Sequence, residues 1–257
     1  MINPLLKGST RMKNICIIIL AAGKGKRMRS SKAKVLHHIC GKPMILLVID
    51  AAKRVTPNTI VVVGHQAQEV KKTIEKKYLD VSFALQDEQR GTGHALQCAL
   101  PMISSEIESV VVLCGDVPMI SPDKINDLIY VHRKEDNDVT VMAVEQEDPY
   151  GYGRIVLDDN GFIEKIVEET DATDDQKKIN MVNSGIYCIS CSILDETLNE
   201  LSDDNTQNEF YLTDIVPIGI QKNYRVGVML NQDANNVLGI NTIEQLHKIE
   251  ALIQEKH

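Results

Sequence analysis

Short apolar runs rich in β-branched residues recur along the chain and alternate with segments of helical spacing. The runs cover residues 15–20, 59–63, 81–85, 110–113 and 139–144. Both faces of each run are apolar, which is typical of strands buried between two layers of helices. Between the runs, apolar positions such as Ile45, Val48, Ile49 and Ala52 recur at helical spacing. The pattern predicts an α/β fold with a mostly parallel, doubly wound sheet.

After residue 144 the pattern changes. Turn clusters at 148–153 and 158–161 bracket short alternating strands, which predicts a β-hairpin insertion. The charged stretch 168–178 is predicted to be an exposed loop or helix in which most charges are solvated. Strand patterns return at 181–189 and 225–230, and an amphipathic helix follows Asn241, a residue that could serve as its N-cap.

Composition and charge exclude several classes of protein. The chain has 257 residues, of which 43% are hydrophobic and 25% charged, as in an average soluble globular protein. This excludes a disordered or collagen-like chain. The net charge of -8 argues against binding to nucleic acid or to an anionic membrane surface, since both favour basic proteins. No apolar run approaches the roughly 18 residues of a membrane span.

The six cysteines lie mostly within apolar stretches, where a reduced thiol behaves as a small hydrophobic group. This usage predicts a reducing, cytoplasmic location. Cys188 and Cys191 form a single Cys-x-x-Cys pair without flanking histidines, so core packing is favoured over metal or redox chemistry. Residues 1–12 are expected to be a polar extension without a signal peptide, and Met12 is a possible alternative start.

A glycine-rich basic loop follows the first strand. Leu20-Ala-Ala-Gly-Lys-Gly-Lys-Arg-Met28 opens a segment with six cations between Lys24 and Lys34 and no acidic residue. Small residues let backbone N–H groups approach an anion, and the cations can neutralise phosphate charge. The spacing fits neither a P-loop nor a dinucleotide-binding loop, because Met28 replaces the third glycine of the latter. A phosphate-binding loop is favoured over a solvated basic loop.

Two further loops follow strands at the same predicted edge of the sheet. Gln86 precedes Gly91-Thr92-Gly93, and its amide could recognise the imide edge of a pyrimidine; the alternative is an ordinary turn with Thr92 as a helix N-cap. Asp116 follows the fourth strand beside the basic loop. Because a carboxylate near phosphate groups commonly binds Mg²⁺, Asp116 is interpreted as a Mg²⁺ ligand in preference to a turn former.

The later part of the chain offers further polar candidates. These are Gly153, Glu168, Asn183 and Asn241, each of which could instead be a turn residue, a surface charge or a cap.

Eight motifs occur along the chain in a fixed order. They are Leu20-Ala-Ala-Gly-Lys-Gly-x-Arg-Met28, Lys34-Val-Leu-His37, Gln86 with Gly91-Thr-Gly-His-Ala95, Gly115-Asp-Val-Pro118, Gly151-Tyr-Gly-Arg-Ile155, Glu168, Asn183-Ser-Gly185 and Glu209-Phe-Tyr-Leu-Thr-Asp214. Together they closely resemble one family, the uridylyltransferase half of the bifunctional bacterial N-acetylglucosamine-1-phosphate uridyltransferase/glucosamine-1-phosphate acetyltransferase. The resemblance extends roughly from Lys13 to the C-terminus.

The resemblance implies a Rossmann-like fold of the nucleotide-diphospho-sugar transferase type. A nucleotide lobe at about 13–120, a sugar lobe at about 121–240 with the hairpin, and a C-terminal helix at 241–256 are expected. The implied reaction transfers a uridylyl group from UTP to N-acetyl-α-D-glucosamine 1-phosphate. Its products are UDP-N-acetylglucosamine, a precursor of peptidoglycan and lipopolysaccharide, and pyrophosphate. Mg²⁺ is the implied cofactor.

Site roles also follow from the resemblance, position by position. The implied catalytic residues are Arg27, which acts on the transferred phosphoryl group, Lys34, which meets phosphate, and Asp116, which holds Mg²⁺ with Asn241. The implied substrate-binding residues are Leu20, Ala21, Ala22 and Gly23 around the nucleotide, Gln86, Gly91 and Thr92 at uracil, Cys114 and Gly115 beside Asp116, and Gly153, Glu168 and Asn183 at the amino sugar.

The chain departs from the family pattern at four positions. Lys26 replaces a usual threonine, Ala33 a proline, Cys114 a frequent tyrosine and Ser184 a threonine. None of these changes removes a proposed metal ligand or phosphate cation, but Lys26 and Cys114 leave substrate preference open. The alternatives are another sugar-phosphate nucleotidyltransferase of the same fold and a nucleotide-sugar-binding regulator without turnover.

We expect the purified chain to lack acetyltransferase activity and to be a monomer or weak oligomer. Residues 231–257 contain one amphipathic helix pattern and none of the hexapeptide repeats of the family's β-helix, to which acetyl transfer and trimer formation are attributed. Acetyl-CoA consumption with glucosamine 1-phosphate tests the first expectation, and light scattering tests the second. Acetyl-CoA consumption that depends on the sugar phosphate, or a stable trimer, would contradict them.

Overall fold

A nine-stranded mixed sheet forms the centre of the protein. The computed structural model describes residues 12–254, so the predicted polar extension lies, except for Met12, outside the described residues. The sheet contains β1 (Ile15–Ala21), β4 (Asn58–Val63), β5 (Ser82–Leu85), β6 (Ser109–Cys114), β7 (Val139–Glu145), β8 (Arg154–Leu157), β9 (Ile163–Val167), β10 (Met181–Ser190) and β11 (Val226–Asn231). Its main path has the order β11-β7-β10-β6-β1-β4-β5.

Most strands of the main path are parallel, as predicted. β1 pairs in parallel with both β4 and β6, and β4 pairs with β5 in the same way. The exception is β10, which lies between β6 and β7 and is antiparallel to both. Its N-terminal end therefore lies at the same edge as the carboxyl ends of the parallel strands. Strands from both predicted lobes belong to this one sheet.

Helices cover both faces of the sheet, which confirms the doubly wound arrangement. Ile17 and Ile19 of β1 point to one hydrophobic cluster and Cys16 and Ile18 to the other, because side chains alternate along a strand. The first face is covered by α1 (Met44–Val55), α2 (Ala67–Glu75) and α4 (Pro122–Lys134). The second is covered by α3 (Thr92–Ala99), α5 (Cys191–Asn199) and α6 (Ile215–Gln221). The last helix, α7 (Ile243–Gln254), belongs to a separate hydrophobic cluster. None of the described helices has the length and apolar character needed to cross a membrane.

A small hairpin links the glycine-rich loop to α1. It consists of β2 (His38–Ile39) and β3 (Lys42–Pro43), and its turn residues Cys40 and Gly41 both have positive φ angles. A two-residue turn with this backbone matches the twist of paired strands. Met28, Ile39 and Met44 pack here against Leu246 and Ile249 of α7, so the C-terminal helix closes over the glycine-rich loop.

The predicted β-hairpin insertion is formed by β8 and β9, and β8 joins the main sheet through Arg154 opposite Val182 of β10. The charged stretch that follows is a loop with one turn of 3-10 helix, Gln176–Lys178. Several of its charges are not simply solvated. Glu169 pairs with the buried Arg154 at 2.7 Å, and Asp171 accepts hydrogen bonds from Thr206 and Tyr211.

His132 of α4 is buried at the sheet edge opposite the carboxyl ends of the parallel strands. We expect it to make the stability of the fold depend on pH. His132 is 3% exposed and hydrogen bonds to the hydroxyls of Thr140 and Ser190. Burial lowers the pKa of His132 from 6.5 to about 4, although the Asp138 carboxylate opposes this shift. Because the folded-state pKa is lowered, the unfolded chain binds more protons below pH 6.5.

We therefore expect the stability that depends on neutral His132 to be intact above pH 6.5 and to be lost as the pH falls toward 4, by roughly 3 kcal/mol. Urea unfolding at pH 7 and pH 4.5 measures this loss. His132→Gln, which carries no titratable group, should show a smaller loss than the wild type, while His247→Gln on the surface serves as control. An equal loss in wild type and His132→Gln would contradict the assignment.

Candidate active site

The loops after β1, β4, β5 and β6 meet at one edge of the sheet. The amide of Gly115 donates to the Leu20 carbonyl at 2.9 Å, and that of His65 donates to the Ala22 carbonyl at 3.0 Å. A β-carbon added at Gly64 would lie 2.8 Å from the Gln86 carbonyl oxygen and 2.9 Å from the Ala22 β-carbon. Glycine is needed there because the three loops are in direct contact.

The glycine-rich loop leaves open space at one glycine and packs tightly at another. A β-carbon at Gly23 would meet nothing within 4 Å, so the backbone here is accessible to a ligand. Gly25 has a φ of +59°, and a β-carbon there would lie 2.5 Å from the Lys34 β-carbon. The loop therefore supports the Lys34 stem, and Lys34 begins the 3-10 helix Lys34–Leu36.

Two cations and two oxygen-bearing side chains form the centre of the site. Lys34 makes an ion pair with Asp116 and donates to Asn241 Oδ1 at 2.6 Å. Arg27 Nη2 donates to the same Asn241 oxygen at 3.0 Å. The Lys34 and Asp116 side chains are 14% and 18% exposed, so water screens their attraction only in part. Four of the predicted residues are thus brought together.

Asn241 reaches this centre because the chain before α7 is fastened to Asp116. The amide of Ile240 donates to the Asp116 backbone carbonyl at 2.9 Å, and a β-carbon at Gly239 would lie 3.0 Å from Asp116 Oδ1. Asn241 does not cap α7. Thr242 Oγ1 accepts from the Gln245 amide at 3.2 Å, and Gln245 Oε1 accepts from the Thr242 amide at 3.2 Å, which is a capping box.

Asp116 and Asn241 are suitable ligands for a divalent cation. Both direct an oxygen toward the same point, which Lys34 Nζ contacts, and hard oxygen donors are what Mg²⁺ prefers. Within residues 12–254, no cluster of three or more His, Cys, Asp or Glu side chains could hold a metal by itself. A cation here would need further ligands, and substrate phosphates typically supply them.

Gln86 is 3% exposed, and its amide nitrogen is already engaged. Nε2 donates to the Gly91 carbonyl at 2.9 Å and lies 3.2 Å from His94 Nδ1. Among the described residues, no hydrogen bond to Gln86 Oε1 is formed. The side chain is therefore oriented with its acceptor oxygen available.

The glycines after Gln86 are explained by a neighbouring backbone. A β-carbon at Gly91, whose φ is +106°, would lie 2.4 Å from the Phe210 carbonyl oxygen, and one at Gly93 would lie 3.0 Å from the same atom. Thr92 is the first residue of α3, not its cap, and its hydroxyl accepts from the Leu212 amide at 3.0 Å. The Phe210–Leu212 segment thus holds the loop that orients Gln86.

The three residues implied at the sugar also converge. The amide of Asn183 donates to the Gly153 carbonyl at 2.8 Å, and a β-carbon at Gly153 would lie 3.5 Å from both Glu168 carboxylate oxygens. Thr213 donates to Glu168 at 3.2 Å. Burial raises the pKa of the Glu168 carboxyl, which the Thr213 hydrogen bond opposes and the nearby Asp214 carboxylate reinforces.

A bulge in β10 places Asn183 at this pocket. The register of β10 against β7 shifts between Asn183 and Ile186, and Gly185 within the bulge has a φ of +78°. The Asn183 side chain accepts from the Gly185 amide at 2.9 Å and donates to the Tyr187 hydroxyl at 2.7 Å. Bulges of this kind redirect side chains beside active sites.

Cys114 lies at the end of β6 between Asp116 and the bulge. A β-carbon at Gly185 would lie 2.9 Å from its sulfur. Burial raises the pKa of the Cys114 thiol to about 12, and the Asp116 carboxylate adds to this shift. The residue is therefore a neutral thiol at physiological pH and is no nucleophile. Its implied role beside Asp116 in substrate binding stays a prediction.

Several residues of the site received no role from sequence reasoning, although Thr213 and Arg154 lie within the motifs of the family resemblance. Gly64, Gly239 and Thr213 make close contacts with predicted residues, and the buried Arg154 contacts both the Tyr152 carbonyl and Glu169. Gly64 could have been found, since a glycine directly after a strand of this sheet is a local signal. Gly239 and Thr213 are defined only by partners distant in sequence.

Comparison with known proteins identifies the family. The family model described as nucleotidyl transferase matches residues 16–254, which include every site residue named above. The chain belongs to the nucleotidyl transferase family. A solved structure agrees with the fold. The crystal structure of a 4-diphosphocytidyl-2C-methyl-D-erythritol synthase from Anaerococcus prevotii is similar to this chain with a TM-score of 0.66 and 19% sequence identity, over 94% of this chain and 99% of that one.

Similar curated proteins are about twice as long. The chain is 40% identical to the bifunctional protein GlmU of Pelobacter propionicus over 246 residues, and 44% identical to that of Alkaliphilus oremlandii over 240 residues. These alignments cover 95% and 93% of this chain but 53% and 52% of the relatives. This nucleotidyl transferase family member thus spans about half the length of the curated relatives it matches, in agreement with the predicted resemblance to one half of a bifunctional protein.

Two glycines of this nucleotidyl transferase site should respond differently to substitution. Gly91→Ala places a β-carbon against the Phe210 backbone at a positive φ, so we expect a loss of about 2–3 kcal/mol in the free energy of unfolding. Gly23→Ala meets no protein atom and should change stability by less than about 0.5 kcal/mol. Urea unfolding of both variants tests this, and equal stabilities would contradict the described packing.

Proposed function

We propose that this chain transfers the uridylyl group of UTP to N-acetyl-α-D-glucosamine 1-phosphate and releases pyrophosphate. The observation that carries the proposal is the convergence of Arg27, Lys34, Asp116 and Asn241 between the glycine-rich loop and the pocket of Glu168 and Asn183. In this proposal the phosphate groups react between a base site at Gln86 and a sugar site at Glu168 and Asn183. The similarity to proteins named bifunctional protein GlmU, together with the resemblance of the motifs, supports the choice of substrates.

The Gln86 side chain supports a preference for uracil. Its donor nitrogen is engaged with Gly91 and His94, so a bound base meets the acceptor Oε1. Uracil has an N–H at ring position 3 that can donate to this oxygen, whereas cytosine has an unprotonated nitrogen acceptor there. If cytosine were bound, its ring nitrogen and Gln86 Oε1 would both be acceptors, and neither would have a hydrogen-bond donor in the buried site. This disfavours cytosine.

The sugar pocket combines a carboxylate with backbone and amide groups. Glu168 can accept hydrogen bonds from sugar hydroxyls or from an acetamido N–H, and the carboxylate is already oriented by Thr213. The absence of a β-carbon at Gly153 keeps the sugar-facing side of Glu168 open. A compact pocket of this kind suits a neutral amino sugar derivative, and its precise geometry sets the preference among sugar phosphates.

The chemistry requires positioning and charge neutralisation but no covalent intermediate. A sugar phosphate is mostly a dianion at neutral pH, since its second pKa is about 6, so its oxygen can attack the α-phosphorus of UTP without a general base. Arg27 and Lys34 are placed to neutralise charge on the phosphates as it develops, in a site that is partly shielded from water. Neutral Cys114 takes no part in bond formation.

Asp116 and Asn241 are the residues that would hold Mg²⁺. When bound, the ion would supply positive charge that offsets the negative charge of the phosphate groups and of the leaving pyrophosphate. Lys34, which contacts both oxygens, is then available to donate to a phosphate group. In this structure the Asp116 carboxylate and the Asn241 amide oxygen hold the positive charge of Lys34. With metal bound, the same two groups would hold the positive charge of the ion instead.

A pyrophosphate-release assay tests the proposal. The purified chain is incubated with Mg²⁺, with UTP, CTP, ATP, GTP or dTTP, and with a panel of hexose 1-phosphates that includes N-acetylglucosamine 1-phosphate. We expect release with UTP and N-acetylglucosamine 1-phosphate and its loss in Asp116→Ala. Preferred release with another pair would establish the rival sugar nucleotidyltransferase, and binding of a nucleotide sugar without release would establish the regulator.

Location and assembly are part of the same proposal. We place the enzyme in the cytoplasm, where UTP is made, and this is supported by the six cysteines, all of which are free. The predicted state of assembly, a monomer or weak oligomer, stays a prediction, as do the two lobes at about 13–120 and 121–240.

Arg27→Ala should lower kcat by about 100-fold and change the Kd for UTP much less, because a cation directed at developing phosphoryl charge acts mainly in the transition state. Arg27→Lys should recover only part of this loss, since lysine lacks the guanidinium fork. Steady-state kinetics and calorimetric UTP binding measure the two effects. A variant with normal kcat and a raised KM would make Arg27 a ground-state binding residue.

Gln86→Ala should lower kcat/KM for UTP by about tenfold and reduce the preference for UTP over CTP, because the acceptor for the uracil N–H is removed. Competition between the two nucleotides in one reaction mixture gives the ratio directly and corrects for any inactive protein. If the ratio and kcat/KM for UTP both stayed at the wild-type values, base selection would rest on other groups.

A further inference from the structure

Gln245, on the first turn of α7, does more than begin the helix. Its Oε1 accepts from the amide of Thr242 at 3.2 Å, as a capping box requires, and also from the amide of Asn241 at 2.6 Å. The shorter of the two bonds is the one to Asn241. The Asn241 backbone is therefore fixed directly by a side chain, while its own Oδ1 accepts from Lys34 and Arg27.

The Gln245 amide also faces the loop that enters the sugar side of the site. Gln245 and Tyr152 line one cavity of about 90 Å³ together with Gly239 and Ile240. Burial raises the pKa of the Tyr152 hydroxyl and the Asp116 carboxylate adds to this shift, whereas the Arg27 charge lowers it. Tyr152 is thus a neutral phenol.

Tyr152 stands between two glycines that contact the site. A β-carbon at Gly151 would lie 3.2 Å from Arg27 Nη1, and Gly153 borders Glu168. A movement of this loop would therefore disturb Arg27 and the sugar pocket at the same time. Gln245 lines the same cavity as Tyr152 of this loop.

We propose that Gln245 is a positioning residue, which holds the Asn241 backbone with its amide oxygen and thereby keeps the Asn241 side chain in line with Lys34 and Arg27. The inference rests on the proposed function, since it concerns the same site. Groups that orient a ligating side chain commonly affect metal affinity or activity by 10-fold to 100-fold, although they touch neither metal nor substrate.

The test compares Gln245→Ala with Thr242→Ala, which removes the other half of the capping box and leaves the Asn241 bond in place. Mn²⁺ binding to the UTP-saturated protein is measured by calorimetry, alongside Tm, kcat and KM for the sugar phosphate. We expect Gln245→Ala to weaken Mn²⁺ binding by about tenfold. Thr242→Ala should lower Tm by a similar amount and keep the wild-type Mn²⁺ affinity.

One further variant isolates the bond to Asn241. Gln245→Glu keeps an acceptor for the amides of Asn241 and Thr242, so it should keep near wild-type Mn²⁺ affinity. Gln245→Glu also keeps the helix cap, so the comparison does not depend on the folding of Gln245→Ala.

Equal losses of Mn²⁺ affinity in Gln245→Ala and Thr242→Ala would show that Gln245 only begins the helix and would overturn the inference. Wild-type Mn²⁺ affinity in Gln245→Ala would do so as well. The proposed function fails separately: if the wild type binds Mn²⁺ and UTP but no sugar phosphate is converted, the binding comparison still decides the role of Gln245.

Discussion

The contact of Asp116 with Lys34 and with the backbone before α7 holds distant parts of the chain together. Asp116 follows β6, and its partner Lys34 belongs to the segment after β1. Lys34 also donates to Asn241, which lies 207 positions after the lysine in the sequence. A carboxylate that is 18% exposed is costly unless it is paired, so its partners must be brought to it. The ion pair with Lys34 satisfies this requirement. Asn241 holds the same lysine, and the Ile240 amide fastens the chain before α7 to the Asp116 backbone carbonyl.

Much of the surrounding structure serves that placement. Gly25 lets the Lys34 stem pass, Gly239 lets the chain approach the carboxylate, and Gly151 leaves room for Arg27. The box formed by Thr242 and Gln245 begins α7 without using Asn241. The site is therefore built on the rigid edge of a parallel sheet but is completed by the last helix, and its chemistry depends on how firmly that helix is held.

The strands and the phosphate loop could be predicted from sequence because both are local signals. Apolar runs on both faces of a strand indicate burial, and glycines among cations directly after a strand indicate an anion site. A strand pattern carries no direction, however, so the antiparallel insertion of β10 between β6 and β7 could not be anticipated. The resemblance implies a role for Gly91 at uracil, which stays a prediction. The contact that requires a glycine there, with the Phe210 backbone, is one that only the folded chain creates.

Asn241 shows the same limit in the site. From sequence, an asparagine before a helix is well placed as a plain N-cap, and the contacts of Thr242 with Gln245 were needed to show that Asn241 does not cap α7. Its role as a metal ligand stays a prediction. The charged stretch after β9 is a second case. Glu169 becomes a structural partner because Arg154 is buried behind the Gly151–Gly153 loop, which nothing in the local sequence indicates.

The central claim is that Asp116 and Asn241 act as one cation-binding pair. A double-mutant cycle tests it most directly, with Asp116→Ala and Asn241→Ala made singly and together and Mn²⁺ affinity measured by calorimetry in the presence of UTP. If both side chains hold the same ion, each single variant loses affinity and the double variant loses little more than Asp116→Ala. Fully additive losses, or an Asn241→Ala variant with wild-type Mn²⁺ affinity, would contradict the account.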